Sequence, residues 1–405
     1  MANAFKTPDI IAKAALPEFM NALNMTPFID RQHSSEFANK VGDTITIRRI
    51  TRFVAGDGAD VTGAIQDIVE GSRPLQLSFR KNVPVEISSQ EMTLDIKDLT
   101  EQVLTPAMEE LAQTVESEIA NLYKQVWNQV GTPGTIPSTI ADAMLPRTKL
   151  NKFGVPTRNR AAFYEPEAAG AMAAVLATVF PSDIASLAIK EGVITSYTGF
   201  AYMENQSIKT HTVGTYGGTP LINGASQNVT YANVKDTNVQ NLITDGWTSG
   251  ATNLNEGDRF TIAGVFAVNP KTRDSLADLQ QFVVRADVSD TTGDITMSIA
   301  PPIITTGAFK TVSAAPADGA AITVLGVSAT NYPQNLALQK NAFTIAFANL
   351  DGPMDESKFS RATQDNISIR VAFDWDGKTD VNLIRFDILF GLTAQEPGYA
   401  TVHVG

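Results

Sequence analysis

At 405 residues with 43% hydrophobic side chains, the chain has enough apolar material for two or three domains with real cores, which excludes a disordered protein. A net charge of -12 argues against a large surface that grips nucleic acid, since each phosphate contact needs a Lys or Arg. No cysteine is present, so disulfides and thiolate metal sites are excluded, and stability must come from packing and association.

The first residues lack the basic start and continuous apolar run of a secretory signal. No later segment carries about 18 apolar residues in a row, so a cytosolic origin without membrane insertion is expected. Thr7-Pro8-Asp9 supplies a capping side chain, a proline suited to the first turn and an acid facing the helix dipole. A helix to about Asn24 follows, with Ile10, Ile11, Ala14, Phe19 and Leu23 on a broad apolar face, and it reads as an arm. From Asp43 the period becomes two: Thr44, Thr46 and Arg48 alternate with Ile45, Ile47 and Arg49. Residues 54–73 are turn-rich, and Leu75, Leu77, Phe79, Lys81, Val83, Val85 and Ile87 then alternate with polar neighbours. The pattern predicts a long hairpin with Pro84 at an edge. Such a ribbon is marginal alone, so it must lie against something else, and a partner subunit is a candidate.

The strongest helical signal runs from Thr93 to Gly131. Asp98 and Glu101 have capping-box spacing, and Leu111, Val115, Ile119, Leu122 and Val126 form one stripe opposite Glu109, Glu116 and Lys124. Pro106 should kink or restart the helix, whose remainder would span roughly 35 Å to Gly131. Residues 132–220 read as mixed α/β. Glu165-Pro166 opens an alanine-rich helix to about Val179, Ser182-Asp183 caps a shorter one to Lys190, and residues 197–218 look loop-like. Near Leu221 the composition turns to Thr, Asn, Gly, Ala and Val, and strands are expected at residues 259–268, 281–288 and 294–299. This all-β segment, to about 335, is read as an insertion into the preceding domain. At the end, Ile367 to Phe373 and Ile384 to Phe390 alternate around the turn Asp374-Trp-Asp376-Gly377-Lys-Thr-Asp380, predicting a hairpin.

The pattern offers little to catalysis. His33, His211 and His403 lie far apart, without helical partners at metal-binding spacing. The Asp374 to Asp380 turn has its glycine too early for a calcium loop. The glycines of 56–63 lack the Lys-Ser/Thr of a phosphate loop, no Gly-x-Ser-x-Gly elbow exists, and no acid pair stands out. No catalytic residue, metal or cofactor is assigned.

The order of arm, long hairpin, long helix, α/β domain, inserted β-domain and closing hairpin resembles the major capsid proteins of tailed bacteriophages, with the Hong Kong 97-type fold. Within that family it is similar to the coat proteins of short-tailed Salmonella-type phages. The likeness is carried by Glu256-Gly-Asp-Arg-Phe-Thr-Ile-Ala-Gly-Val265 through Ala267-Val-Asn-Pro270 to Leu279-Gln-Gln-Phe-Val-Val284, by Asn335-Leu-Ala-Leu-Gln-Lys-Asn-Ala-Phe343, and by Arg385-Phe-Asp-Ile-Leu-Phe-Gly391 with Pro397.

The resemblance implies an α+β fold divided as follows: an N-terminal arm at 1–42, an extended loop at 43–92 and a spine helix of the peripheral domain at 93–131. An axial domain at 132–220 and 336–365 would hold an inserted β-barrel domain at 221–335, and 366–405 would close the peripheral domain. It implies a structural shell subunit without enzymatic activity, self-assembling as hexamers and pentamers around double-stranded DNA that it does not read. Expected partners are a separate scaffolding protein, since the arm comes almost at once, a portal protein and, as an accessory, a decoration protein. The expected location is the virion, after assembly in the host bacterial cytoplasm. The shell of a bacterial encapsulin-like nanocompartment is the alternative, against which the insertion counts. Contacts between capsomers would fall in the charged stretch with Lys235 and Asp236. Arg48, Arg49, Arg52, Arg73 and Arg80 make the hairpin the most basic part of the chain, and they are expected to meet an acidic face of a neighbour's helix with Glu109, Glu110, Glu116 and Glu118.

Overall fold

The structure is a computed structural model, and it describes all residues except 1–6, 40, 41, 57, 60, 61, 63, 64, 69, 89–99, 180–195, 226, 233, 234, 236, 290, 291 and 353–358. The chain divides into two compact units. One comprises residues 1–46, 74–119 and 343–393; the other comprises 47–73, 120–342 and 394–405.

The first unit is built on the closing hairpin. Ile367–Asp376 and Val381–Thr393 pair as the alternation predicts, and the turn between them is held by Asp376, which accepts from the Lys378 N–H (2.9 Å) and the Thr379 hydroxyl (3.0 Å). Phe359–Gln364 extends the sheet beyond Ile367–Asp376, and Thr344–Ala348 pairs with the far end of Val381–Thr393. The expected long hairpin is corrected here. Among the described residues Thr44–Arg48 pairs only with Ser72–Gln76, while Phe79–Ser88 lies antiparallel to Val381–Thr393, with Val83 opposite Phe386 and Val85 opposite Ile384. The ribbon's longer half therefore rests on its own chain. Residues 77 and 78 break the alternating run into two strands with different partners. Pro84 costs nothing there, because Phe79–Ser88 has one partner strand among the described residues and leaves its other edge open.

The arm helix α1 (Thr7–Ala22) packs on Phe359–Gln364 and Ile367–Asp376, burying Ala12, Ala15, Leu16 and Phe19. The long helix α2 (Thr105–Asn121) is shorter than expected: a π turn, Thr100–Leu104, precedes it and a 3-10 turn, Leu122–Gln125, ends it. Pro106, lacking an N–H, sits where the α-helical bonding restarts. Seventeen residues make a rod of about 25 Å rather than 35 Å. Val126 is already extended, and Gly131 lies beyond a short strand, Gln129–Val130. The expected start at Asp98 lies outside the described residues.

In the second unit, a mostly buried sheet runs in the order Gln129–Val130, Ala400–Val404, Asn331–Gln339, Arg160–Tyr164, Phe200–Glu204, Ser196–Tyr197. The stretch read as loop-like thus contributes a core strand, Phe200–Glu204, parallel to Arg160–Tyr164. Helices α3 (Ile140–Lys152) and α4 (Pro166–Val179) share a core with this sheet, including Leu150, Ala168, Met172, Phe200 and Tyr202. The helix expected at 182–190 lies outside the described residues. Helix α3 begins with a capping box: the Asp142 N–H donates to Thr139 Oγ1 (3.1 Å), and the Thr139 N–H donates to Asp142 Oδ2 (3.0 Å). Thr139→Ala is expected to cost about 1 kcal/mol, read as a lower denaturant midpoint at unchanged slope.

Six strands of this unit form a second sheet in the order Ile322–Val324, Arg259–Val268, Ser275–Val284, Ile295–Ala300, Gln240–Trp247, Gly218–Ile222. A bridge between Leu221 and Ala321, the residue before the first strand, links the two ends of the sheet, so it closes into a barrel. Leu242, Phe260, Ile262, Phe282, Met297, Ile299 and Ile322 fill it. Gly246, at φ +71° in the bulge between Asp245 and Trp247, lets two backbones approach: a Cβ there would stand 2.4 Å from the Thr219 carbonyl oxygen.

Candidate functional site: the arginine ribbon and its partners

The basic ribbon does not present its arginines alike. Arg48 is exposed and lies 3.8 Å from Glu70, a contact of small energetic weight. Arg80 is also exposed, on a register position opposite Leu389. Arg49, by contrast, turns inward and forks onto Glu396, with Nε and Nη2 each 2.9 Å from a carboxylate oxygen, while Nη1 donates to Asn238 Oδ1 at 3.1 Å. Arg73 is buried and donates to the carbonyls of Ala394 (2.6 Å) and Thr237 (2.8 Å). Burial, with Arg49 and Arg285 nearby, pulls its pKa down to about 9. Arg52 is lowered as well, by burial first, with Arg49 and Arg273 adding repulsion and Glu396 opposing it. Of the five expected contact arginines, Arg49 is thus paired with the tail carboxylate of its own chain, Arg73 with backbone carbonyls, and Arg52 lies in the field of both Arg49 and Glu396.

The acidic side chains of the helix also differ from one another in their surroundings. Glu109 and Glu110 are exposed, and Glu118 holds Lys81 at 2.8 Å. Glu116 is buried. Its carboxylate accepts from the Met25 N–H (2.7 Å), the Thr26 N–H (3.2 Å) and the Thr26 hydroxyl (3.0 Å), at the start of the short helix Thr26–Phe28. The buried face of α2 is wider than the expected stripe, since Met108, Ala112, Glu116 and Ala120 form a second row at four-residue steps beside Leu111, Val115 and Ile119.

Lys235 is likewise turned inward, donating to the carbonyls of Asn228, Thr230 (2.6 Å) and Ile303 (3.1 Å). Within its own chain the Lys235 ammonium ties down its own loop; Asp236 lies outside the described residues.

Sequence reading assigns no role to Arg259, His211 and Asp258. Arg259, almost fully buried, donates to the carbonyls of Tyr123 (3.0 Å) and Val126 (2.8 Å) and to Gln334 Oε1 (2.8 Å). It thereby satisfies acceptors that the end of α2 frees, and its charge sits at the negative end of the helix dipole. Burial lowers its pKa to about 10, which leaves it charged at neutral pH. Next to it, the Tyr123 hydroxyl and His211 Nδ1 are 3.0 Å apart, and His211 Nε2 lies 2.9 Å from Asp258 Oδ1. The row has the order of a relay, but burial first raises the Tyr123 phenol to about 12, and Asp258 also accepts from the N–H groups of Gly214 and Asn255. Its geometry is that of a fully paired internal network. Among the described residues no group of side chains is arranged to hold a metal ion, and no helix is long and apolar enough to cross a membrane.

A search of curated proteins finds no match. Among solved structures the chain is similar to that of Mycobacterium phage Che8, with 11% identity over 94% of this chain and 90% of that one, at a TM-score of 0.49. It is also similar to the capsid of cyanophage P-SCSP1u, with 10% identity over 89% and 83% and a TM-score of 0.42. A virus-like particle from Pyrococcus furiosus gives 9% identity over 97% of each chain, at a TM-score of 0.39. The family model described as P22 coat protein, gene protein 5, matches residues 1–404, and the chain therefore belongs to that family: it is a structural major capsid protein of a tailed phage, with the α+β Hong Kong 97-type fold.

Proposed function

We propose that copies of this chain close into an icosahedral shell of hexamers and pentamers around double-stranded DNA, and that the chain performs no catalysis. The observation that carries this reading is the family match over residues 1–404. The arm at 1–42, the extended loop at 43–92, the spine helix at 93–131 and the closing segment at 366–405 would build the peripheral part. Residues 132–220 and 336–365 would build the axial part, with 221–335 as the insertion. Scaffolding and portal proteins, and a decoration protein as an accessory, are the partners that the resemblance implies. The virion would be its location, after assembly in the host bacterial cytoplasm.

The extended loop supports this reading physically. Ile50 (59% exposed), Phe53 (51%), Ile65 (78%) and Ile68 (73%) are large apolar side chains that their own chain leaves in water. Large apolar side chains left exposed along one loop mark an interface, and a neighbouring copy would supply their cover. Of the charged candidates, Arg48, Arg80 and Glu109 keep the exposure that such contacts need. Expression with and without a scaffolding protein, followed by negative-stain microscopy, tests the proposal. Closed shells are expected with the scaffold, and persistent monomers under both conditions would refute it. A double variant, Ile65→Ser with Ile68→Ser, is expected to leave the monomer's stability within about 0.5 kcal/mol of the parent while blocking shell formation. Normal shells from that variant would remove the loop from the interface.

A further inference from the structure

Around Arg52 the second unit forms a partly open cavity of about 80 Å³. Its polar side is built around Arg49, whose fork onto Glu396 and third bond to Asn238 Oδ1 fix the orientation of that amide. Asn238 is 6% exposed, and its Nδ2 has no acceptor among the described residues. Arg52 also lines the cavity and makes no hydrogen bond among the described residues, so Glu396 is the one carboxylate set against two guanidinium groups in the wall. Burial, with repulsion from Arg49 and Arg273 added, outweighs the attraction of Glu396 on Arg52. The site is therefore short of one anion and one hydrogen-bond acceptor.

The cavity is also lined by aromatic rings. Tyr231 and Phe309 stack with centroids 4.8 Å apart, and Trp127 and Tyr399 complete the wall. At about 10–15 Å³ for each enclosed water, the space matches roughly six waters, which is room for one ring and an oxyanion.

We propose that this cavity binds a small carboxylate carrying a single apolar ring. The carboxylate lies between the Arg52 guanidinium and Asn238 Nδ2, relieving the surplus of positive charge and the unpaired amide together. The ring takes the place of water against Tyr231, Phe309 and Trp127. Occupancy joins the root of the extended loop to the chain's tail through Arg49 and Glu396, so binding raises the melting temperature of the full chain.

The test is isothermal titration calorimetry of phenylacetate into the full-length protein, its Arg52→Gln variant and its Asn238→Asp variant. Asn238→Asp retains the acceptor for Arg49, suits the left-handed backbone at φ +59°, and replaces the free donor by a negative charge. Saturable one-to-one binding by the parent, weakened at least about tenfold in each variant, is the expected result. If Asn238→Asp fails to fold, Arg52→Gln decides alone. No saturable binding by the parent, or equal binding by the variants that fold, overturns the proposal. Inorganic phosphate binding as tightly as phenylacetate overturns the claim that a ring is recognised.

Discussion

Replacing Glu116 by alanine is expected to destabilise the first unit by about 3–5 kcal/mol, more than any surface change in the chain. The carboxylate is 2% exposed and accepts three hydrogen bonds from Met25 and Thr26, both fully buried. Hydrogen bonds to a charged group contribute about 1.5–3 kcal/mol each and do not add fully, and their loss leaves two N–H groups and a hydroxyl without that acceptor. The carboxylate also stands at the N-terminal end of Thr26–Phe28, where unpaired amides favour a negative charge. Glu116→Gln preserves the shape and one acceptor oxygen, so its cost should be smaller, about 1–2 kcal/mol. Urea unfolding of the monomeric protein measures both. If Glu116→Ala unfolds within about 1 kcal/mol of the parent, the carboxylate is not what fastens residues 25 and 26 to the helix.

This carboxylate also shows where sequence reading stops. The stripe through Leu111, Val115 and Ile119 is legible because apolar residues declare their face by spacing. Glu116 belongs to the adjacent buried row, and what makes its burial tolerable lies 90 and 91 positions away in the chain. Spacing within a helix carries no record of such a partner. Arg49 repeats the lesson, since its basic neighbourhood is local while Glu396 is 347 positions distant. The same holds for the extended loop: alternation from Leu75 to Ile87 predicts a strand and even an edge at Pro84, yet the pairing of Phe79–Ser88 with Val381–Thr393 is non-local. Phe200–Glu204 went unread for another reason, because a five-residue parallel strand beside glycine and threonine turns offers too few periods to count. Of the expected barrel strands, 259–268 and 294–299 were legible to within a residue, whereas 281–288 overlaps only the end of Ser275–Val284.

The fold should weaken in acid through His403, and the window can be stated. His403 lies on Ala400–Val404, between Asn335 and Val130 in the sheet, 1% exposed, with Nδ1 3.0 Å from the Tyr164 hydroxyl. Burial pulls its pKa from 6.5 to about 4, against a weaker opposing pull from Asp142. Above pH 6.5 the imidazole is neutral in both folded and unfolded chains, and the shift has no effect. Below it the unfolded chain takes up a proton that the folded chain refuses, so stability falls until the pH passes about 4. The slope approaches about 1.4 kcal/mol per pH unit, or on the order of 3 kcal/mol across the window. His403→Gln retains a polar side chain of similar reach without the titration. It should lower stability at neutral pH through lost packing, while showing a shallower fall between pH 6.5 and 4. Urea midpoints of parent and variant across that range decide the matter: carboxylates titrate in both proteins, so the difference between the two curves isolates the imidazole. Parallel curves would mean that the buried ring accepts its proton without opening the last strand. A steeper parent curve would make Ala400–Val404, which joins Gln129–Val130 to Asn331–Gln339, the strand whose loss begins acid unfolding of the second unit.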